Sequence, residues 1–313
     1  MKAVVYNKKG SPEKLIYCEM DKPVPKNNEA LIKVHAVSLN AADYRSMKAG
    51  IIIPKKGIFG SDISGSIESV GKNIKLFKPG DEVIGYLARY GFGGLAEYVT
   101  APEKALIAKP SQISFVQGAS LPMAGLTALQ ALRDKGNIQK GYKVLIVGSA
   151  GGVGTFAVQL AKYFGAEVTG VCSSKNIQQT KSLGADEVID YAQEDFSKKQ
   201  NHYNLILGIN GNYPLLDYKR TLAPGGVFVM IGGSLSQIFK SLIFGGILSF
   251  GSKKMKSMMA KSNKTDLEML SKLMEKGSIK PVIERLYSLN QSAEAMNYLS
   301  KGHASGKLVI SLE

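Results

Sequence analysis

From Met1 to about Pro110, apolar and polar positions alternate in short segments broken by Gly and Pro. Lys2 to Tyr6, Glu29 to Ser38, Asp62 to Val70, Glu82 to Ile84 and Ala96 to Thr100 each read as a strand, with turn chemistry such as Lys78-Pro79-Gly80-Asp81 between them. Strands at this spacing predict a mostly β domain. Beyond Pro110 the period changes. Phe115 to Arg133 carries apolar residues at helical spacing, the continuous run Lys143 to Val147 reads as a buried strand, and a glycine cluster leads into a helical pattern over Thr155 to Phe164. A second apolar run, Glu167 to Cys172, follows directly. Strand, glycine turn, helix and strand make a βαβ unit, which forces a parallel sheet covered by helices.

Further strands are expected at Glu187 to Ile189, Leu205 to Ile209 and Val227 to Ile231, with helices at Asn176 to Leu183 and Leu215 to Leu222. The fold class is therefore α/β, with a doubly wound parallel sheet beside a mostly β domain. Thr265 to Lys276 predicts a helix with Asp266, Glu268 and Glu275 on its solvent side. Val282-Ile283 and Leu308 to Ile310 read as strands, with a helix over Ser292 to Ser300 between them.

The chain has 313 residues, enough for two domains, and its composition of 44% hydrophobic and 21% charged residues is that of a globular protein. Two Cys and three His, namely Cys18, Cys172, His35, His202 and His303, lie scattered with no ligand spacing, so neither a disulfide framework nor a structural zinc site is expected. The longest weakly charged apolar stretch, Ser241 to Ser252, is far below the roughly 20 residues of a spanning helix. The short run Met1 to Tyr6, followed by Lys8 and Lys9, is not a signal-peptide pattern, and a cytoplasmic protein is expected. The formal net charge of +15 attracts anions in general without naming one.

The informative stretch is Gly148-Ser149-Ala150-Gly151-Gly152-Val153-Gly154. Its glycines let the backbone turn out of the strand and approach a pyrophosphate, while the helix that follows offers unpaired N–H groups. The context makes it a dinucleotide-binding signature, because it follows one strand, opens a helix and precedes a second strand. At the tip of that second strand, where an NAD site places a carboxylate on the ribose, the chain reads Cys172-Ser173-Ser174-Lys175. Hydroxyls and an ammonium suit a 2′-phosphate, so NADPH is the expected cofactor. The alternative, that Ser-Ser-Lys only caps the next helix, stays open.

These residues also carry a resemblance. Met1-Lys-Ala-Val-Val5, Asn40-Ala-Ala-Asp43-Tyr44, Gly60-Ser-Asp62-Ile-Ser-Gly65, Lys78-Pro-Gly-Asp-Glu-Val83, Gly94-Leu-Ala-Glu97-Tyr98, Gly125-Leu-Thr127-Ala128, the glycine turn, Leu183-Gly-Ala-Asp186, Ile189-Asp190-Tyr191 and Gly306-Lys307 occur in order. Over essentially its whole length the chain resembles the medium-chain dehydrogenase/reductase superfamily, within it the zinc-independent quinone oxidoreductase-like branch that also holds alkenal and enone reductases. The resemblance implies a GroES-like catalytic domain over residues 1–115, completed by 280–313, and a Rossmann NADP-binding domain over 116–279. It implies an active site in the cleft between them and a homodimer. Where zinc-dependent members carry a ligating Cys and His, this chain has Asn40 and Ser61, and Gly208 stands where many members carry an acid.

Without a metal to polarise a carbonyl, the reaction that the resemblance implies is hydride transfer to a quinone or α,β-unsaturated carbonyl, whose conjugation spreads the developing charge. By resemblance Asn40 faces the nicotinamide and donates to the substrate oxygen. Tyr44 is either a second donor or a pocket wall, and Asp43 and Asp62 are scaffold residues. Thr127, Ser149, Ala150, Gly151, Gly152, Val153, Ser173, Ser174, Lys175, Tyr191, Gly232 and Lys307 are the expected cofactor positions. The segment Ile238 to Lys264, apolar and then lysine- and methionine-rich, reads as a helix pair with a solvated lysine face or a lid over an apolar substrate, with a membrane anchor or nucleic-acid patch as weaker options. Two other functions remain open: a zinc-type alcohol dehydrogenase or carbonyl reductase of the same fold, and a non-catalytic NADPH-sensing protein. No specific nucleic acid is expected as a partner.

Overall fold

Two hydrophobic periodicities, one of two residues and one near 3.6, organise the chain into strands that alternate with helices. The computed structural model describes residues 1–6, 10, 12–50, 54, 56–211, 213–233, 246, 248–249 and 251–312. In chain order the elements are β1 (Lys2–Tyr6), β2 (Leu15–Glu19), β3 (Glu29–Leu39), α1 (Ala41–Ala49), β4 (Asp62–Val70), β5 (Glu82–Tyr86), β6 (Tyr98–Pro102), β7 (Leu106–Ala108), α2 (Phe115–Ser120) and α3 (Pro122–Gln130). There follow β8 (Lys143–Val147), α4 (Gly152–Tyr163), β9 (Glu167–Cys172), α5 (Ile177–Ser182), β10 (Glu187–Asp190), β11 (Tyr203–Gly208), α6 (Leu215–Thr221) and β12 (Leu222–Met230). The last are β13 (Lys254–Ser257), α7 (Lys264–Glu275), β14 (Ile283–Ser288), α8 (Ser292–Ser300) and β15 (Lys307–Ser311).

The elements form two compact units, residues 1–126 with 262–313, and residues 127–261. In the first, one sheet runs in the order β14-β15-β3-β4-β5-β7, with β6 also pairing β3, and β1 and β2 make a separate two-stranded sheet. β15 lies antiparallel to β3 with Leu308 opposite Leu39, and β3 lies antiparallel to β4 with Ser38 opposite Asp62. The C-terminal strand is thus a neighbour of the third strand, and the ends of β15, β3 and β4 come together at one edge of the pairing. Val37, Leu39, Phe59, Ile63, Leu308 and Ile310 belong to the core of this unit.

The second unit is an all-parallel sheet in the order β10-β9-β8-β11-β12-β13. Numbered within the unit this is 3-2-1-4-5-6, the doubly wound order of a dinucleotide-binding fold, as the sequence led one to expect. Its core stacks Phe196, Tyr218 and Phe228 against the apolar strands. Gln130 clamps the two ends of this unit, its Nε2 donating to Lys261 O at 3.0 Å and its Oε1 accepting from Lys261 N at 2.9 Å.

Several elements differ from the sequence reading. The helical stretch from Phe115 breaks into α2 and α3 at Pro122, which has no N–H to continue the first helix and opens the second. β7 has only three residues, and β2, though as long as β1, is largely exposed and shows no alternation to mark it. Glu268 and Glu275 are exposed, whereas Asp266, at the start of α7, is buried. Of the segment 238–264, residues 238–245, 247 and 250 lie outside the described residues. In its described part, Lys254–Ser257 is a strand with Met255 buried between exposed Lys254 and Lys256, an alternation of two rather than a helical lysine face.

One lysine of this segment has a structural task. Lys253 Nζ donates to Lys219 O at 3.0 Å, to Arg220 O at 3.4 Å and to Asn201 Oδ1 at 2.7 Å, so it serves carbonyls that the last turn of α6 leaves unpaired. Lys253→Met should therefore lower the unfolding free energy by about 1 kcal/mol in urea titration, with the slope unchanged.

Candidate functional site

The first unit holds a buried polar cluster where β3, β4 and β15 meet. Asn40 follows β3 directly and opens α1, Asp62 begins β4, and Lys307 begins β15. All three are buried, at 7%, 0% and 3% exposure. Lys307 Nζ donates to Asn40 Oδ1 at 2.7 Å and to Leu39 O at 3.3 Å, and lies 4.0 Å from Asp62 Oδ2. Asn40 Nδ2 donates to Asp62 Oδ2 at 3.1 Å and, at a longer 3.4 Å, to Ser38 O.

Asp62 is the most heavily supported group. Its Oδ1 accepts from Ser61 Oγ at 2.9 Å, and its Oδ2 also accepts from Met123 N at 3.0 Å. That N–H is one of the unpaired donors at the start of α3, left for a partner outside the helix because Pro122 precedes it. Asp62 thereby ties β4 to α3. Asp43 is less well served: its Oδ2 accepts from Asn40 N at 2.8 Å, while its Oδ1 is buried with no hydrogen-bond partner. It closes the first turn of α1, in keeping with a scaffold role.

Burial raises both carboxyl groups. Asp43, desolvated and close to the charge of Asp62, is pushed up to about 7. Asp62 is raised by burial and held down by Lys307, Asn40, Met123 and Ser61. Lys307 is lowered by burial and supported by the two carboxyls. Of the two acids, Asp43 is the one that takes up a proton as pH falls through about 7, which lessens the negative charge beside Asp62. Tyr86, opposite Asp62 on β5, has its phenol raised by burial and by the same two acids. Tyr44 is half-buried on α1, with Arg45 over its ring at 5.7 Å, and makes no side-chain hydrogen bond among the described residues.

The second unit carries the glycine turn between β8 and α4. Gly151 is the N-cap of α4 with extended backbone, no acidic side chain stands in the first turn, and Gly151, Gly152 and Val153 are half-buried. A Cβ on Gly154 would sit 2.1 Å from Gly148 O, so the helix can start this close to the strand only with glycine there. A Cβ on Gly151 would meet nothing nearer than 3.8 Å, so it would fill an open cradle in front of the helix N–H groups. That space and those donors fit a pyrophosphate. Ser149 is fully buried, and its N–H and Oγ both donate to Val171 O, at 3.1 and 3.2 Å; its side chain braces the turn. Ala150 O accepts from Gln179 Nε2 at 3.3 Å.

At the tip of β9, Ser173 Oγ accepts from Asn176 Nδ2 at 3.1 Å, and Lys175 is exposed with no ion pair among the described residues. Tyr191 is 52% exposed, and its N–H donates to Cys172 O at 3.2 Å, which places its backbone beside this tip. Ser174 Oγ donates to Asp190 Oδ2. The sequence alone assigns Asp190, in Ile189-Asp190-Tyr191, no role. It ends β10 opposite Cys172, accepts from Ala192 N at 3.0 Å, and is held below the usual carboxylate range by Ser174 and that N–H. An acid thus reaches the tip from the neighbouring strand, which the local pattern around Ser173 could not reveal. Thr127 is buried in α3, and Gly232 N donates to Gly208 O at 3.2 Å. Of the residues expected around the cofactor, Lys307 belongs to the first unit, and its ammonium turns into the polar cluster.

Comparison with known proteins agrees with both units. Residues 26–111 match the alcohol dehydrogenase GroES-like domain, and residues 183–310 match the zinc-binding dehydrogenase family. The chain is 35% identical over 327 residues to the chloroplastic quinone-oxidoreductase QR1 of Triphysaria versicolor, covering 99% of this chain and 98% of the relative. It is 31% identical over 325 residues to the mitochondrial NAD(P)H oxidoreductase of Mus musculus, covering 91% and 82%. The solved quinone oxidoreductase of Coxiella burnetii superposes with a TM-score of 0.89 at 31% identity, covering 100% and 99%. Among the described residues, no group of three His, Cys, Asp or Glu could hold a metal ion, and no helix is long and apolar enough to cross a membrane.

Two outcomes follow from this geometry. Gly151→Val should fold with a melting temperature near wild type yet lose cofactor affinity by roughly 100-fold in fluorescence titration, whereas Gly154→Ala should lose stability as well. Asp43 binds a proton in the folded state that the unfolded chain releases near pH 4, so its contribution to stability falls as pH rises from about 4 to 7 and is constant above. Asp43→Asn keeps an acceptor for Asn40 N and should remove that fall. Urea titrations at several pH values should show the mutant gaining on wild type by a few kcal/mol, order of magnitude, between those limits.

Proposed function

The chain belongs to the quinone oxidoreductases of the medium-chain dehydrogenase/reductase superfamily, and from that membership we propose a zinc-free, NADPH-dependent reductase of quinones or α,β-unsaturated carbonyls. The observation that carries this reading is the Lys307 ammonium, 2.7 Å from Asn40 Oδ1. A buried cation already stands beside the positions at which zinc-dependent relatives would carry ligands, and it opposes a second, divalent one. When bound, the dihydronicotinamide supplies the hydride.

The residues divide the remaining work. The backbone around Gly151, Gly152 and Val153 binds the pyrophosphate, with Ser149 and Ala150 shaping the turn. Ser173, Ser174, Lys175 and Tyr191 surround the 2′-phosphate, and Thr127 and Gly232 line the nicotinamide end. Asn40 Nδ2 donates to the substrate oxygen on which charge develops, and Tyr44 is the second candidate donor. Conjugation in the acceptor spreads that charge, so hydrogen bonds suffice where a metal is lacking. A homodimer belongs to the same reading, supported by β13, an edge strand with one side unpaired among the described residues. A cytoplasmic location does too. A second reading, with NADH as cofactor, is favoured by Asp190, whose charge at Ser174 opposes a 2′-phosphate.

Oxidation of NADPH and NADH with a panel of quinones and enones tests the proposal. The expected result is turnover with kcat/KM about tenfold higher for NADPH, a preference that Lys175→Ala brings toward parity. Stoichiometric zinc in the purified protein, or binding of cofactor without turnover of any acceptor, would sink it.

A further inference from the structure

An asparagine amide can sit in either of two nearly isosteric orientations, and only its partners decide which. At Asn40 the partners are of fixed character. Lys307 only donates, whereas the carboxylate of Asp62 and the carbonyl of Ser38 only accept. The reversed amide would set Oδ1 against a carboxylate and the NH2 group against an ammonium. In a site where Asn40, Asp62 and Lys307 are all nearly sealed from water, both contacts are repulsive and unscreened.

The two Nδ2 hydrogens are not held equally. One meets Asp62 at 3.1 Å, while the other faces Ser38 O at 3.4 Å, beyond the usual range of a good N–H···O bond. The second hydrogen is the one a substrate oxygen can take over. The ammonium on Oδ1 also draws electron density through the amide and strengthens that donor, as in any chain of hydrogen bonds in a dry site.

We propose that Lys307 is a positioning residue for the reduction, fixing the Asn40 amide with NH2 turned to Asp62 and Ser38 and passing the effect of its charge through that amide to the substrate oxygen. This rests on the reading of Asn40 as the group that meets the substrate. It is a task distinct from lining the cofactor, in that two of the ammonium's three N–H donors go to Asn40 and Leu39.

Lys307→Met keeps the stem and removes the charge. The expected result is a fall in kcat with quinone or enone of roughly 10- to 100-fold, with the Kd for NADPH within about twofold of wild type. In an Asn40→Ala background the same substitution should change kcat by less than about twofold, since it acts through the missing amide. Lys307→Met/Asp62→Asn removes one charge of each sign. It should melt closer to wild type than the single variant and still show the low kcat, which separates positioning from folding. In 15N-edited NMR, the two Asn40 side-chain amide protons should be well separated and slow to exchange in wild type, and converge in Lys307→Met. A loss of NADPH affinity as large as the loss of kcat, or full additivity with Asn40→Ala, would overturn the proposal. Unchanged Asn40 amide signals would overturn it whatever the activity. Absence of turnover in wild type would instead remove the proposed function, while the amide signals still judge the link between Lys307 and Asn40.

Discussion

An ammonium and two carboxyl groups buried within one cluster constrain the first unit more than any other contact. Removing such groups from water costs several kcal/mol each, and only complete pairing offsets it. Asp62 has three hydrogen-bond donors besides the nearby Lys307. Asp43 has one, and its second oxygen has none, so it is the group that takes the proton. Each partner comes from a different element. β15 supplies the cation, the end of β3 the amide, β4 the carboxylate and α3 a backbone N–H. The cluster is therefore possible only when the C-terminal strand lies beside β3, and a register shift of one residue would leave a charge alone in the core.

The second unit meets its demands by leaving groups unpaired. The first N–H groups of α4 face an open cradle, kept open by Gly151 and brought close to β8 by Gly154. Ser149, by contrast, spends its N–H and hydroxyl on Val171 O and holds the loop rigid. One unit thus spends the donors of its cluster on buried acceptors and the other reserves its donors, as expected if substrate polarisation needs fixed dipoles and phosphate binding needs free donors.

Local pattern made much of this legible. The glycine turn, the strands on either side of it and the motif Asn40 to Tyr44 all stand in contiguous stretches, where the period of the apolar residues and the turn chemistry act together. What stayed hidden depends on pairing between distant strands. Lys307 is expected at the cofactor from its place beside Gly306; that its ammonium also meets Asn40 follows from the register of β15 on β3. Asp190 is out of sight of Ser174 in the chain and opposite Cys172 in the sheet. The lysine-rich segment misled for a different reason. Met255 between two lysines is compatible with a helix or a strand over so few residues, and it is the free edge of β12 that makes Lys254–Ser257 a strand.

The cluster also bears on which acceptors the proposed reaction can use. A metal meets a developing oxyanion directly, whereas the charge of Lys307 would reach it through one amide, and a single donor of that kind contributes roughly 3 to 4 kcal/mol. An isolated carbonyl, where the full charge settles on one oxygen, asks more of such a donor. A quinone or an enone spreads the same charge over a conjugated system before any proton arrives, so the demand on the protein falls to what one well-oriented amide supplies. A proton on Asp43, whose carboxyl burial pushes up to about 7, removes a second negative charge that would oppose the enolate. On the proposed reading, orientation of a dipole, rather than net charge, is what the site would offer a substrate.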